Sequence, residues 1–379
     1  LIFLILIVVI KNIKTENFES IRKKKVKFSW KDKNLNPYQI KTFFSDDLHK
    51  KYDYNTLKKD CIFVSIPSYR DKNCLKTVKS IYKNAAEPEK IFLGIYTQNK
   101  DNTENCYDDT LKRYRNNITI KNVDHKKALG PQHARYVCSH LWNGEEYFLM
   151  IDSHLIFRKN WDRLLKDTYK TSPSKKTILT GYPPSHEDKN AFNDTDFTYT
   201  CDSHFDHDNF HIISGAQGRA QTKEIWSTPY ASAGFFFTNY KWLYEVPFDP
   251  YLPNLFQGEE ILLATRSYTH GWDLFNPNIN FATHYYDRVK DKEPHFWDDN
   301  NDYTKIQQLS NMRYYYIIDE CNIEDVHPEF RKHINYYGLG KERTLEDYFK
   351  FSNIDLKNNR IDTRCNEKYN FKKKKWIKL

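Results

Sequence analysis

The chain has 379 residues, enough to bury one large core or at most two, and it is rich in aromatics (28 tyrosines, 25 phenylalanines) with only 11 glycines. That balance excludes a disordered or collagen-like chain. The formal net charge of +9 comes from lysines spread along the chain or gathered at its ends; no basic helix carries interleaved aromatics, so no nucleic-acid partner is expected.

Seven cysteines (Cys61, Cys74, Cys106, Cys138, Cys201, Cys321 and Cys365) are scattered, odd in number and without a C-x-x-C. The pattern argues against a disulfide framework or a structural zinc and favours a reducing compartment, with Cys61 and Cys138 as small core residues. Two glycosylation sequons, at Asn117 and Asn193, point the other way.

Residues 1–10 are wholly apolar and are followed by a basic segment, Lys11 to Lys27. A bilayer needs about 20 residues, so the run reads either as part of a membrane anchor, giving a membrane-associated chain, or as a buried strand of a cytoplasmic one. Residues 1–58 read as a hydrophobic N-terminal segment and a stem or linker ahead of a large, catalytic-looking α/β domain at 59–300. That domain opens with a strand, Cys61 to Ile66, followed by the loop Pro67-Ser68-Tyr69-Arg70-Asp71. A helix with Leu75, Val78, Ile81 and Tyr82 on one face comes next, then a strand from Ile91 to Tyr96. Strand, helix, strand implies a right-handed parallel crossover, which puts the loop at a carboxyl strand end. There Tyr69 is placed to stack on a base and Arg70 to pair with a phosphate or a buried carboxylate.

Gly130-Pro131 opens a second helix whose apolar stripe is Ala134, Val137, Cys138 and Leu141, with Arg135 off the stripe. The run Tyr147 to Ile151 reads as a strand buried on both faces, and Asp152 and His154 follow where it ends. An acid and an imidazole one residue apart at a strand end form an Asp-x-His metal half-site; local capping at the start of a loop is the alternative. A strand at Thr177 to Thr180 comes next, and residues 183–211, with His186, His204, His207 and His211, read as a mobile acceptor-side loop rather than a metal site, since the histidines lack a ligand spacing. Another buried strand runs from Tyr230 to Phe237.

Gly258 precedes a helix in which Ile261, Ala264, Thr265 and Tyr268 share a face, so Glu259 and Glu260 stand in its first turn. They either complement the helix dipole or accept hydrogen bonds from sugar hydroxyls. His284 emerges from the apolar run Phe281 to Tyr286 and can complete Asp152 and His154 as a two-His, one-carboxylate site. Residues 301–379 read as a C-terminal helical extension with a basic tail, Lys357 to Leu379, that is solvated and disordered or touches acidic lipid.

Taken in order, Ser65 to Asp71, Gly130-Pro131 with Ala134-Arg135-Tyr136, Ile151 to His154, Leu255 to Glu260, Thr269 to Asp273, His284 and Phe296-Trp297 resemble the polypeptide N-acetylglucosaminyltransferases. That family is similar in turn to the mucin-type polypeptide GalNAc-transferases. The resemblance implies an α/β GT-A nucleotide-sugar fold with a mixed, mostly parallel central sheet flanked by helices. It also implies transfer of N-acetylglucosamine from UDP-GlcNAc to a hydroxyproline, Thr or Ser hydroxyl of a protein or peptide acceptor, with retention. Asp152, His154 and His284 would hold Mn²⁺ or Mg²⁺, and Ser65, Pro67, Tyr69, Arg70 and Ser153 would surround the nucleotide. Arg135 would support the phosphate and metal region, and Glu259, with Glu260 beside it, would bind the donor sugar. The alternatives are a catalytically silent nucleotide-sugar-binding protein, a transferase of another UDP-hexose, and a metal-dependent hydrolase. Nothing in the sequence fixes an oligomeric state.

Overall fold

The computed structural model describes residues 48–206, 212–286, 293–299 and 303–379. The apolar run at 1–10, most of the stem, His207 and His211 lie outside the described residues. Among those described, no helix is long and apolar enough to cross a membrane.

The first half alternates strands and helices: β1 (Lys58–Tyr69), α1 (Cys74–Asn84), β2 (Ile91–Asn99), β3 (Ile118–Asp124), α2 (Gly130–Ser139), β4 (Glu145–Ile151), β5 (Leu155–Phe157) and α3 (Trp161–Lys170). Then come β6 (Thr177–Thr180), β7 (Asp196–Phe205), β8 (Ile212–Ala220), β9 (Trp226–Ser227), β10 (Phe235–Asn239), α4 (Lys241–Glu245), α5 (Glu259–Thr269), β11 (Asp273–Asn276) and β12 (Ala282–His284). The C-terminal part adds α6 (Tyr303–Ile317), α7 (Ile334–Tyr337), α8 (Leu345–Ser352) and two small hairpins, β13 (Ile354–Asp355) with β14 (Arg360–Ile361) and β15 (Glu367–Asn370) with β16 (Lys375–Lys378).

Eight strands form the main sheet in the order β3-β2-β1-β4-β10-β6-β11-β9. The first four are parallel, β10 runs against both β4 and β6, β6 and β11 are parallel again, and β9 is reversed at the edge. This is the mixed, mostly parallel α/β sheet expected.

Side chains of a strand alternate between faces, and here both faces are covered, so the strands read as unbroken apolar runs. On one face Ile62, Val64, Ile66, Leu149 and Ile151 pack with Val78 and Ile81 of α1 and with Trp161 and Leu165 of α3. On the other, Phe63, Phe148 and Met150 meet Trp242 of α4, Ile261 and Ala264 of α5, and Tyr348 of α8.

Three expectations change. The interval 183–211 is not simply a loop, because β7 and β8 pair as a long antiparallel hairpin with one irregularity near Asp202. Pro183 to Thr195 remain turns and bends ahead of it. Alternation in β7 is masked by its charged residues, since Tyr199 and Cys201 point inward while Asp196 and His204 are exposed.

The cysteines are also not all reduced. Cys74 is bonded to Cys106 and Cys201 to Cys365; pairs separated by 32 and 164 residues leave no local spacing to read. Cys138 is buried and unpaired as expected, and Cys61 is half-buried.

Finally, the helical extension is packed into the protein and its basic end is not a disordered tail. Leu309, Met312 and Ile318 share a core with Leu252, Leu255 and Leu262, and the basic end is a hairpin fastened by Trp376, whose indole donates to the Phe351 carbonyl.

A fully buried ion pair, Arg313 to Asp249 at 2.7 Å, crosses this junction, and the same guanidinium donates to the Phe330 and Lys332 carbonyls. Taking away one member of such a pair strands the other charge out of water. Asp249→Ala is therefore expected to lower the unfolding free energy by about 3–5 kcal/mol, read as a shifted urea midpoint; a loss under about 1 kcal/mol would mean the Arg313 charge is satisfied without Asp249.

Candidate active site

The carboxyl ends of β1, β2 and β4 open on one cleft of about 640 Å³, within the range of small-molecule sites, and Pro67, Tyr69, Gln98 and Asp152 lie in its wall. Its opposite side is formed by α2 and by the first turn of α5.

Asp152 is the first residue beyond β4. Its backbone N–H donates to the Gly234 carbonyl at 3.2 Å. A Cβ at position 234 would stand 2.7 Å from the Asp152 carboxylate, so the glycine there keeps the space that this carboxylate occupies.

His154 and His284 arrive from distant parts of the chain. β5 pairs antiparallel with β12, which sets His284 opposite Leu155, and the Tyr285 N–H donates to the His154 carbonyl at 3.1 Å. The two imidazole rings stand 4.5 Å apart at their centres, and His284 Nε2 lies 3.3 Å from Asp152 Oδ2. One ligand atom from each of Asp152, His154 and His284 falls within 4.8 Å of the others, a separation that a single cation can span. Two imidazoles and one carboxylate with open positions suit a first-row divalent ion that also takes phosphate oxygens.

Behind His154 stands a carboxylate that the sequence reading quoted but gave no role. Asp71 is fully buried; it accepts from His154 Nδ1 at 2.7 Å, from the Ser153 hydroxyl at 2.5 Å and from the Asn73 N–H at 2.8 Å. The bond at Nδ1 leaves the Nε2 lone pair of His154 free to bind, the pattern by which outer carboxylates set a ligating imidazole.

On the other side of Asp152, Arg135 of α2 lies 3.2 Å from Asp152 Oδ1 and 3.0 Å from Glu259 Oε1. Burial opposes the charge on Arg135, but Glu259, Asp152 and Glu260 hold its pKa above the ordinary value. For Asp152, burial alone would raise the pKa. The His284 hydrogen bond and the charges of Arg135, His154 and His284 outweigh it and keep the group well below the usual carboxylate range.

Glu259 and Glu260 do stand at the start of α5, with Gly258 in the left-handed region (φ 86°) as its N-cap. Burial pushes both up to about 7, against the opposing pull of Arg135 on Glu259 and of the Tyr182 hydroxyl on Glu260. Glu260 accepts from the Tyr182 hydroxyl and from the Ala233 N–H at 2.9 Å.

The nucleotide-side residues divide. Pro67, Tyr69 and Ser153 line the cleft, although the Ser153 hydroxyl is committed to Asp71. Arg70 takes the carboxylate partner of its two expected ones, with Asp299 at 2.7 Å and Glu104 at 3.3 Å, and the Tyr69 hydroxyl donates to the same Asp299. Ser65 is not brought to the cleft. It is fully buried in the middle of β1, paired in register with Gly94 and Met150. Asp299 went unnoticed in the sequence because it lies in a polar stretch with no periodicity, and Tyr182 because it follows β6 between Gly181 and Pro183 with no chemical partner near it in sequence; Asp71, beside Arg70, had a readable signal as a second acid near the half-site.

The family model described as "Glycosyltransferase (GlcNAc)" matches residues 61–114 and 107–358. No curated protein matches the chain. Among solved structures, the chain is similar to the crystal structure of GalNAc-T7 with UDP, GalNAc and Mn²⁺, with a TM-score of 0.51 and 13% identity over 81% of this chain and 58% of that one. It spans less than two thirds of that protein's length. It is also similar to S. aureus TarS 1–349 in complex with UDP-GlcNAc, with a TM-score of 0.41 and 13% identity over 73% of each chain. The first likeness shows the fold, which is of GT-A type. With most of its length covered by the family model, the chain belongs to the GlcNAc glycosyltransferase family.

Proposed function

We propose that the chain is a metal-dependent transferase that moves N-acetylglucosamine from UDP-GlcNAc to a hydroxyl of a protein acceptor (hydroxyproline, Thr or Ser), with retention at the anomeric carbon. The observation that carries this reading is the convergence of Asp152, His154 and His284 in one cleft at the carboxyl ends of parallel strands. GalNAc-T7, of like fold, was crystallised with UDP, GalNAc and Mn²⁺, which favours a UDP-sugar donor and Mn²⁺ over Mg²⁺.

Asp152, His154 and His284 would hold the cation. When bound, it supplies positive charge against the departing diphosphate, usually the largest single contribution to such a reaction. The chain's own residues do the rest. Asp71 and Ser153 lock the imidazole of His154, and Arg135 keeps Asp152 ionised while standing between the metal ligands and the sugar side. Glu259 and Glu260, with pKa values near neutrality, can both donate to and accept from sugar hydroxyls. Each of these acids is already engaged, by Arg135 and by Tyr182 respectively. That supports attack by the acceptor hydroxyl on the face the diphosphate leaves, over a covalent glycosyl-enzyme. Tyr69 and Pro67 would take the uridine, with Asp299 fixing the Tyr69 ring.

A protein acceptor is favoured by the mouth of the cleft, where Phe256 (49% exposed) and Tyr286 (50% exposed) stand in solvent. Half-exposed aromatic side chains beside the cleft offer apolar area on which an acceptor chain could dock.

Two results are expected. Asp152→Ala should lower UDP release from UDP-GlcNAc by about 10²-fold or more while circular dichroism stays that of the parent. Wild-type turnover by that variant sinks the metal role, and UDP binding without any sugar release by the parent chain would favour the silent binding protein. Asp71→Asn should weaken Mn²⁺ binding about 10–100-fold, read from the free-ion electron paramagnetic resonance signal; unaltered Mn²⁺ affinity would show that His154 does not depend on that carboxylate.

A further inference from the structure

Of the two Asn-x-Ser/Thr sequences in the chain, the structure separates one from the other. An asparagine-linked glycan replaces one of the two N–H bonds of the side-chain amide, so an acceptor asparagine must have one N–H to spare in the folded protein. Asn117 has none. Its half-buried amide donates to the Glu89 carbonyl at 3.0 Å and to the Ile91 carbonyl at 3.1 Å, tying the entry of β2 to that of β3. Each bond lost from such a position costs about 1 kcal/mol.

Asn193 is different. It is exposed and spends a single N–H, on the Asn190 side chain at 2.9 Å. The turn that displays it is held from below: the Asp194 carboxylate takes both Arg158 nitrogens, at 2.6 and 2.9 Å, and the Thr195 carbonyl accepts from the Gln221 N–H at 2.9 Å. A large substituent at Asn193 therefore displaces nothing that the turn depends on.

A second observation concerns the compartment. Four of the seven cysteines are paired, and the three unpaired ones are buried or half-buried, so no exposed thiol occurs among the described residues. Disulfides of this kind form and persist in the secretory lumen, where asparagine-linked glycans are added.

We propose that Asn193 is an asparagine-linked glycan acceptor and that Asn117 is not. The co-reactant is a lipid-diphosphate oligosaccharide, transferred by the lumenal enzyme that uses it. The Asn193 amide nitrogen bonds to the anomeric carbon of the first sugar, the bond from that carbon to the lipid diphosphate breaks, and the amide proton passes to base as the diphosphate leaves.

The test directs the whole chain, behind a cleavable secretory leader, into the lumen of a eukaryotic cell and reads gel mobility before and after a glycosidase specific for asparagine-linked glycans. One glycosidase-sensitive shift is expected in the parent chain and in Asn117→Gln, and it should be lost in both Asn193→Gln and Thr195→Ala, the latter leaving the asparagine in place. Non-reducing gels that retain both disulfides in the variants exclude misfolding as the cause. A parent chain without a shift, or a shift that survives both Asn193→Gln and Thr195→Ala, overturns the proposal.

Discussion

Three carboxylates, Asp152, Glu259 and Glu260, crowd one partly closed cleft with Asp71 buried behind it, and the repulsion among those three is the constraint that the surrounding structure answers. Taken out of water together they could not all ionise unless positive charge were built in beside them. Arg135 supplies a permanent cation between Asp152 and Glu259, and His284 and His154 supply polarisable partners for Asp152 and Asp71. The remainder settles as pKa values near neutrality for the glutamates. The cleft is thus divided into an anionic end at Asp152 and an end at Glu259 and Glu260 whose carboxyls can both donate and accept hydrogen bonds near neutral pH.

Much of this was legible in the chain before its folding was considered. The run from Tyr147 to Ile151 is apolar at every position because its strand is buried on both faces, and that feature also announces where the strand must end and where Asp152 must project. The acids at the head of α5 were readable from Gly258 for a similar reason, since a left-handed N-cap starts the helix. What could not be read was pairing between distant segments. Asp299 reaches Tyr69 and Arg70 across about 230 positions of sequence, and neither disulfide has a spacing that betrays it. The β7–β8 hairpin was hidden because its outward residues are charged and its inward ones were read as part of a histidine-rich loop.

The segment after residue 300 takes part in the core that supports α5. Tyr314 of α6 packs directly against Gly258, where an added Cβ would meet its ring at 2.8 Å. Leu309 and Met312 close the core beneath α5, so the segment that looked appended supports the helix that presents Glu259 and Glu260. The Cys201–Cys365 bond fastens the C-terminal hairpins to β7 in the same way.

The ladder between β5 and β12 is only three residues long on each strand, and with the backbone bonds that His284 makes to Pro184 and His186 on its other side it sets which way the ring at position 284 faces. Successive side chains on a strand point to opposite sides, so a slip of one position would turn that imidazole away from Asp152 and bring a threonine or a tyrosine in its place. The proposed cation site is consequently as sensitive to hydrogen-bond register as to the identity of its three side chains. An insertion or deletion of a single residue inside either strand, where no loop can absorb it, can therefore misplace the imidazole while leaving Asp152, His154 and His284 all present in the sequence.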